Sequence, residues 1–237
     1  MSARPATPSP AAPRFTPVAD HAVLVEFAEA IAPAPHAAVL GLDAALAARP
    51  CTGLRETVPA YVNLLVDFDP GMTDHAAVIA HLRALLAAGA RQSTAPQPRL
   101  HQVEVCYDAP FAPDLAEVAA RTGLSPEAVI AAHLSGDYQV YLYGFAPGYA
   151  YLAGLPPELR LDRKPAPVPG VPAGSVIIAG AQALVTTLTM PTGWWVIGRS
   201  PTAILTGIEA RPFLFDVGDR VAFRRIGADR MGPAAHG

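Results

Sequence analysis

Tyr143-Gly144-Phe145-Ala146-Pro147-Gly148-Tyr149-Ala150-Tyr151-Leu152-Ala153-Gly154-Leu155-Pro156 is the stretch on which the reading of the fold turns. Its glycines, at 144, 148 and 154, permit backbone geometry or close approach that a Cβ would block. Pro147 sets the turn ahead of Gly148. The stretch lies in a region beyond Asp137 where helical periodicity disappears. There, residues 138–145, 175–179, 183–188, 194–198 and 221–226 read as short strands between Gly and Pro turns, the pattern of a closed or nearly closed β-barrel. The aromatics at 143, 145, 149 and 151 either wall a pocket or cap the barrel core, and the residues alone leave both open.

On the N-terminal side of this region, Val103, Val105 and Tyr107 alternate as in a strand. Asp114 with Glu117 resembles a capping box, and Ser125-Pro126-Glu127 starts a helix running to about His133. Residues 91–99, with Pro96 and Pro98, read as a linker. Further upstream come a strand with Val23, Val25 and Phe27 on one face and a helix over 35–48 ended by Arg49-Pro50. Strands at 54–58 and 61–68 follow. Thr73 then caps a helix that turns Val78, Leu82, Leu85 and Leu86 inward and stops near Gly89. The expected class is α+β: a small N-terminal α/β sandwich over 19–90, a linker over 91–99 and a β-barrel over 100–228. Residues 1–18 read as a proline-stiffened disordered tail without the apolar core of a secretory signal, and 229–237 as a flexible tail.

The 237 residues are 51% hydrophobic and 16% charged, enough for a sizeable core. A net charge of −3 offers no basic excess for nucleic acid. No apolar run reaches the ~18 residues of a membrane span. Cys51 and Cys106 have no metal or redox spacing and read as small buried hydrophobes of a reducing, cytoplasmic compartment; no metal site is expected.

Candidate chemistry gathers beyond residue 130. His133 is the best-placed general acid or base, whereas His75 and His81 read as solvent-facing. Arg163, Lys164 and Arg199 are the cations available to hold a carboxylate or phosphate. Val171-Pro172-Ala173-Gly174-Ser175-Val176 enters a strand, where backbone N–H groups and the Ser175 hydroxyl could meet an anion, although the order of a P-loop is absent. Gln182 is an amide in apolar surroundings, where use by a backbone group is the usual fate. Of Trp194 and Trp195, adjacent in a strand, only one points inward. No hydrolase triad is legible.

These residues, in order, resemble the allophanate-hydrolase-subunit-1 family. The match runs through His133, Tyr138-Gln139-Val140, Gly144 to Tyr149, Tyr151 to Pro156 and Val171 to Val176. It continues through Ile178-Ala179-Gly180, Gln182, Gly193-Trp194 and Ile197-Gly198-Arg199-Ser200-Pro201. The family includes 5-oxoprolinase B subunits, Kip-type kinase inhibitors and a segment of urea carboxylase. The resemblance implies a cyclophilin-like C-terminal barrel and one subunit of an ATP-dependent amidohydrolase that opens 5-oxoproline to glutamate. It implies ATP, with Mg, as cofactor, a homologous C-subunit barrel as partner, a third component of A type, and a small lactam or amide substrate. His133, Arg163, Lys164 and Gln182 would be catalytic. Phe145, Pro147, Gly148, Tyr149, Pro172, Gly174, Ser175, Trp194 and Arg199 would bind substrate. A kinase-binding module and a urea-carboxylase-type carboxyltransferase are the family's other roles. The sequence departs from the family pattern at Tyr149-Ala150 (Phe-Pro), Asp162-Arg163-Lys164 (Pro-Arg-Arg), Val168 (Arg), Ala183 to Thr186 (Thr-Gly-Ile-Tyr) and Thr192 (Gly).

Overall fold

The computed structural model describes residues 12–90 and 97–231. It divides into two compact units, residues 1–97 and 98–237. Residues 91–96 of the expected 91–99 linker and the outermost residues of both tails lie outside the described residues.

In the first unit, β1 (Arg14–Val18), β2 (Ala22–Glu26), β3 (Leu54–Ala60) and β4 (Asn63–Phe68) form an antiparallel sheet in the order β1-β2-β4-β3. Period-2 alternation turns Val23, Val25, Leu64, Val66 and Phe68 to one face. Helices α1 (Pro33–Ala48) and α2 (His75–Ala87) cover that face with Val39, Leu42, Leu46, Val78, Leu82 and Leu85. This is the expected sandwich, with corrections at its margins. Residues 14–18 are an edge strand rather than tail: Phe15 packs on the core, and Arg14 pairs with Glu26 at 2.6 Å. Pro17 disguised this strand, because proline is tolerated in a sheet chiefly at an edge. The cap of α2 is Asp74, one residue beyond Thr73, accepting from Ala77 N at 2.8 Å. His75 packs edge-on against Phe68, and His81 bonds Arg49 O, so neither simply faces solvent.

In the second unit, β5 (Leu100–Cys106) leads to α3 (Leu115–Thr122) and α4 (Pro126–Ser135), the latter capped by Ser125 as expected. The strands that follow are β6 (Tyr138–Tyr143), β7 (Ala150–Ala153), β8 (Val168–Val171), β9 (Ser175–Ala179), β10 (Gln182–Val185), β11 (Met190–Thr192), β12 (Trp195–Arg199) and β13 (Arg220–Ile226). Seven of the unit's strands close a barrel in the order β10-β7-β6-β13-β5-β12-β9, and β8 pairs with β11 as a separate ribbon. Among the described strands of the barrel, only β13 and β5 pair in parallel. Val103, Val105, Val176, Ile178, Ala183, Val185, Trp195 and Ile197 fill it together with the apolar faces of α3 and α4. Asp114 does not cap α3 with its side chain; its Oδ2 accepts from Val196 N at 2.7 Å and from Lys164 Nζ. Near the C-terminus Arg230 bonds Glu104 at 2.9 Å, anchoring part of the expected flexible tail. Cys51 and Cys106 are buried, and burial pushes both thiols up. No described helix is long and apolar enough to cross a membrane.

Gly154, at φ +103, lets β7 return past Asp137; a Cβ there would run into the Asp137 carbonyl. Gly154→Ala is therefore expected to destabilise the protein by at least about 2 kcal/mol, read as a lowered urea midpoint with an unchanged slope.

Candidate functional site

The wall built by β9, β10 and β12 is apolar on both faces. Its inward residues fill the barrel, while Ile177, Ala179, Leu184 and Val196 point out and form a second buried cluster with Tyr149, Val171 and Trp194. The tryptophan pair splits as strand alternation requires. Trp195 enters the barrel and donates its Nε1–H to Asp162 O at 2.8 Å; Trp194 joins the outer cluster. The β8–β11 ribbon and the 143–151 segment contribute Val171, Met190, Tyr149 and Tyr151 to this outer cluster.

They leave a cavity of about 140 Å³. Its walls are Phe145, Tyr149, Tyr151, Met190 and Trp194 over a floor of Ile177 and Leu184, and Arg163 is the one charged residue among the described residues of its lining. The Arg163 guanidinium lies over the Trp194 ring at 5.6 Å, and Tyr151 meets the same indole at 5.9 Å. Burial pushes the Tyr149 phenol up to about 12 and raises that of Tyr151, so both stay protonated at neutral pH. The Tyr149 O–H is directed at Met190 Sδ. Among the described residues, no carboxylate, imidazole or thiol lines the cavity. It can receive a small anion with an apolar body, but it carries no general base or nucleophile. A cavity of about 150 Å³ takes a benzene-sized molecule, and a nucleoside triphosphate is several times larger, so ATP does not fit it.

Of the expected site residues, the structure brings Phe145, Tyr149, Arg163 and Trp194 together here. Pro147 and Gly148 hold the loop behind Tyr149: Thr187 Oγ1 donates to Pro147 O at 2.6 Å, and Gly148 (φ +74) leaves no room for a Cβ beneath Leu205. The others are placed elsewhere. Lys164 is half of a half-buried ion pair, its Nζ 2.5 Å from Asp114 Oδ2 and 5.3 Å from the Trp195 ring centroid. His133 is fully buried in the barrel core, with Nδ1 2.7 Å from the Tyr107 hydroxyl and its ring 4.4 Å from that of Phe223. Burial lowers its pKa to about 3, so it is a neutral core residue without access to substrate. The Ser175 hydroxyl is spent on Pro172 O at 2.7 Å. Gly174 borders a second hollow whose hydroxyls, from Thr186, Thr187, Ser200 and Thr202, all bond backbone groups. Gln182 begins β10 and Arg199 ends β12, both outside the cavity lining. Tyr151 and Met190 are lining residues that the candidate set lacked. Tyr151 was visible as an aromatic of the central motif; Met190 carries no local signal.

A closed barrel bearing an outer aromatic cavity and preceded by a small α/β unit defines the class, and the comparisons give the family. The chain belongs to the family of the carboxyltransferase domain, subdomains C and D, whose model matches residues 13–215. It is 35% identical over 216 residues to the 5-oxoprolinase B subunit of Bacillus subtilis, covering 87% of this chain and 90% of that protein. It is 41% identical over 128 residues to the Escherichia coli O157:H7 protein of the same name, covering 54% of this chain and 59% of that one. Among solved structures, TTHA0988 superposes with a TM-score of 0.76 at 36% identity, covering 88% of this chain. This chain spans only 40% of TTHA0988. Kluyveromyces lactis urea carboxylase superposes with a TM-score of 0.71 over 92% of this chain and 22% of its own, a likeness of fold at 16% identity.

Two adjacent cations should separate by substitution. Lys164→Met leaves the half-buried Asp114 carboxylate with only the Val196 N–H bond and is expected to cost about 1–2 kcal/mol, whereas Arg163→Met changes stability by less than about 1 kcal/mol in the same urea titration. His133 supplies a pH signature. Its folded pKa lies below the unfolded value of about 6.5, so the unfolded chain binds the proton first. Its contribution is complete above pH ~6.5 and is lost as pH falls toward 3, by about 1.4 kcal/mol per unit. Between pH 6.5 and 5, His133→Asn should be less stable at the upper limit yet show a flatter loss than the wild type.

Proposed function

We propose that the chain is the B-type subunit of an enzyme complex that opens a small cyclic amide in an ATP-dependent reaction, with 5-oxoproline as the substrate, and that the outer cavity receives that substrate. The observation that carries this reading is one guanidinium set among aromatic walls in a benzene-sized space without a base. A five-membered lactam carboxylate matches it: the ring's methylene edge packs on Trp194 and Tyr149, and the carboxylate meets Arg163. The name of the Bacillus subtilis relative supports the same substrate and a multi-subunit assembly. General base, nucleophile and nucleotide then belong to partner chains: a homologous C-type barrel and a third chain that handles ATP with Mg.

The test is co-expression with a homologous C-type barrel protein and with the third chain. The assembled complex is expected to hydrolyse ATP only with 5-oxoproline present and to release glutamate, while the isolated chain turns over neither. Arg163→Met should weaken 5-oxoproline binding about 10- to 100-fold, the range of a lost charge-assisted hydrogen bond. An assembled complex inert toward every lactam and urea offered would sink the reading.

A further inference from the structure

Phe145 carries two costs that the fold by itself does not return. Its φ is +73, and Ala146 N donates to Gly144 O at 2.9 Å, so residues 144–146 make a γ-turn of the rare, strained form with positive φ at its centre. That geometry suits glycine or asparagine and makes a bulky residue an outlier. The ring is also 76% exposed, the most exposed large hydrophobic side chain among the described residues. Yet it borders the cavity, 5.6 Å from the Tyr149 ring. The turn's surroundings are braced. Gly144 N bonds Tyr149 O, Tyr149 N bonds Ala146 O, and Thr187 holds Pro147 O. Tyr149 and Trp194 are packed, at 4% and 5% exposure, so Phe145 is the cavity's unpacked aromatic wall. Strain concentrated at one residue beside a binding site is the ordinary mark of a part that moves or is pre-set for a ligand.

We propose that Phe145 is the specificity-determining lid of the cavity: its ring leaves solvent to cover the apolar body of a small carboxylate held against Arg163 and Trp194. The 144–146 turn relaxes from positive φ as the lid closes. Strain release and burial of the ring then both favour the occupied state. The lid rests on the small-carboxylate reading of the cavity and adds to it the basis of selection. Arg163 accepts any carboxylate, but only a ligand with an apolar face gives the ring something to cover. A lactam or aromatic acid is thereby preferred over glutamate, whose ammonium and second carboxylate would be desolvated beneath a phenyl ring.

The test uses the full chain, with calorimetric titration of 5-oxoproline and benzoate as apolar-bodied probes and glutamate as the contrast. The wild type is expected to bind the first two more tightly. Phe145→Gly should melt at the same or a higher temperature, weaken both apolar-bodied probes about ten-fold and leave glutamate unchanged, erasing the discrimination. Phe145→Trp should retain it. Unchanged affinity in the glycine variant would overturn the lid alone. So would melting several degrees lower, which would make the ring a packing residue, or normal probe binding with lost partner assembly, which would assign it to an interface. A wild type that binds none of the probes would overturn the cavity reading and the lid with it.

Discussion

A barrel wall with two apolar faces governs the second unit. Val176-Ile177-Ile178-Ala179, Ala183-Leu184-Val185 and Trp194-Trp195-Val196-Ile197 are continuous apolar runs, and such runs need cover on both sides. The barrel interior absorbs one set. The other must be kept from water by something outside, since each large side chain left exposed forfeits roughly 1.5–3 kcal/mol. The β8–β11 ribbon and the aromatic segment after β6 supply that cover, and the cavity is where the cover is incomplete.

Neighbours of like chemistry are thereby sent to opposite fates. Trp195 packs the barrel while Trp194 walls the cavity. Lys164 turns to Asp114, which also accepts from Val196 N and so joins the start of α3 to β12. Arg163, one residue earlier, stacks on Trp194 and lines the cavity. Because Asp114 already compensates Lys164, the cavity keeps one uncompensated positive group. A half-buried ion pair beside a guanidinium that lines a cavity is a division of roles that residue type alone cannot forecast.

Much of this was legible in sequence where pattern and structure share a period. Residues 175–179 are a strand as read, Ser125 caps α4, and the α/β unit and the barrel follow from alternation and turn residues. Short pieces were not. β8 and β11, four and three residues long, contain Pro169, Gly170 and Pro191; they exist only because a distant partner and an apolar wall lie beneath them. His133 was misjudged although a signal existed. It stands three and four residues after Ile130 and Val129, on the buried side of α4, where a histidine is core before it is catalyst. Ser175 failed likewise, since a hydroxyl at a turn into a strand is taken first by local backbone.

A binding cavity without a base is not a defective active site when the protein is one of several chains. Had His133 stood in the cavity, the chain could have held both ligand and catalyst; its imidazole lies instead between Tyr107 and Phe223, in the barrel core. On the proposed reading, the cavity's single guanidinium would be matched to a carboxylate present before reaction as well as after, and among the described residues no base or nucleophile lines the cavity. A carboxylate contact of that kind would hold substrate and transition state almost equally, which lowers KM without raising kcat. On that reading, acceleration would come from groups brought up to the open side of the cavity. The open side is where Phe145 stands exposed and strained, so that the proposed completion of the site and the proposed closure over a ligand would bear on the same few residues.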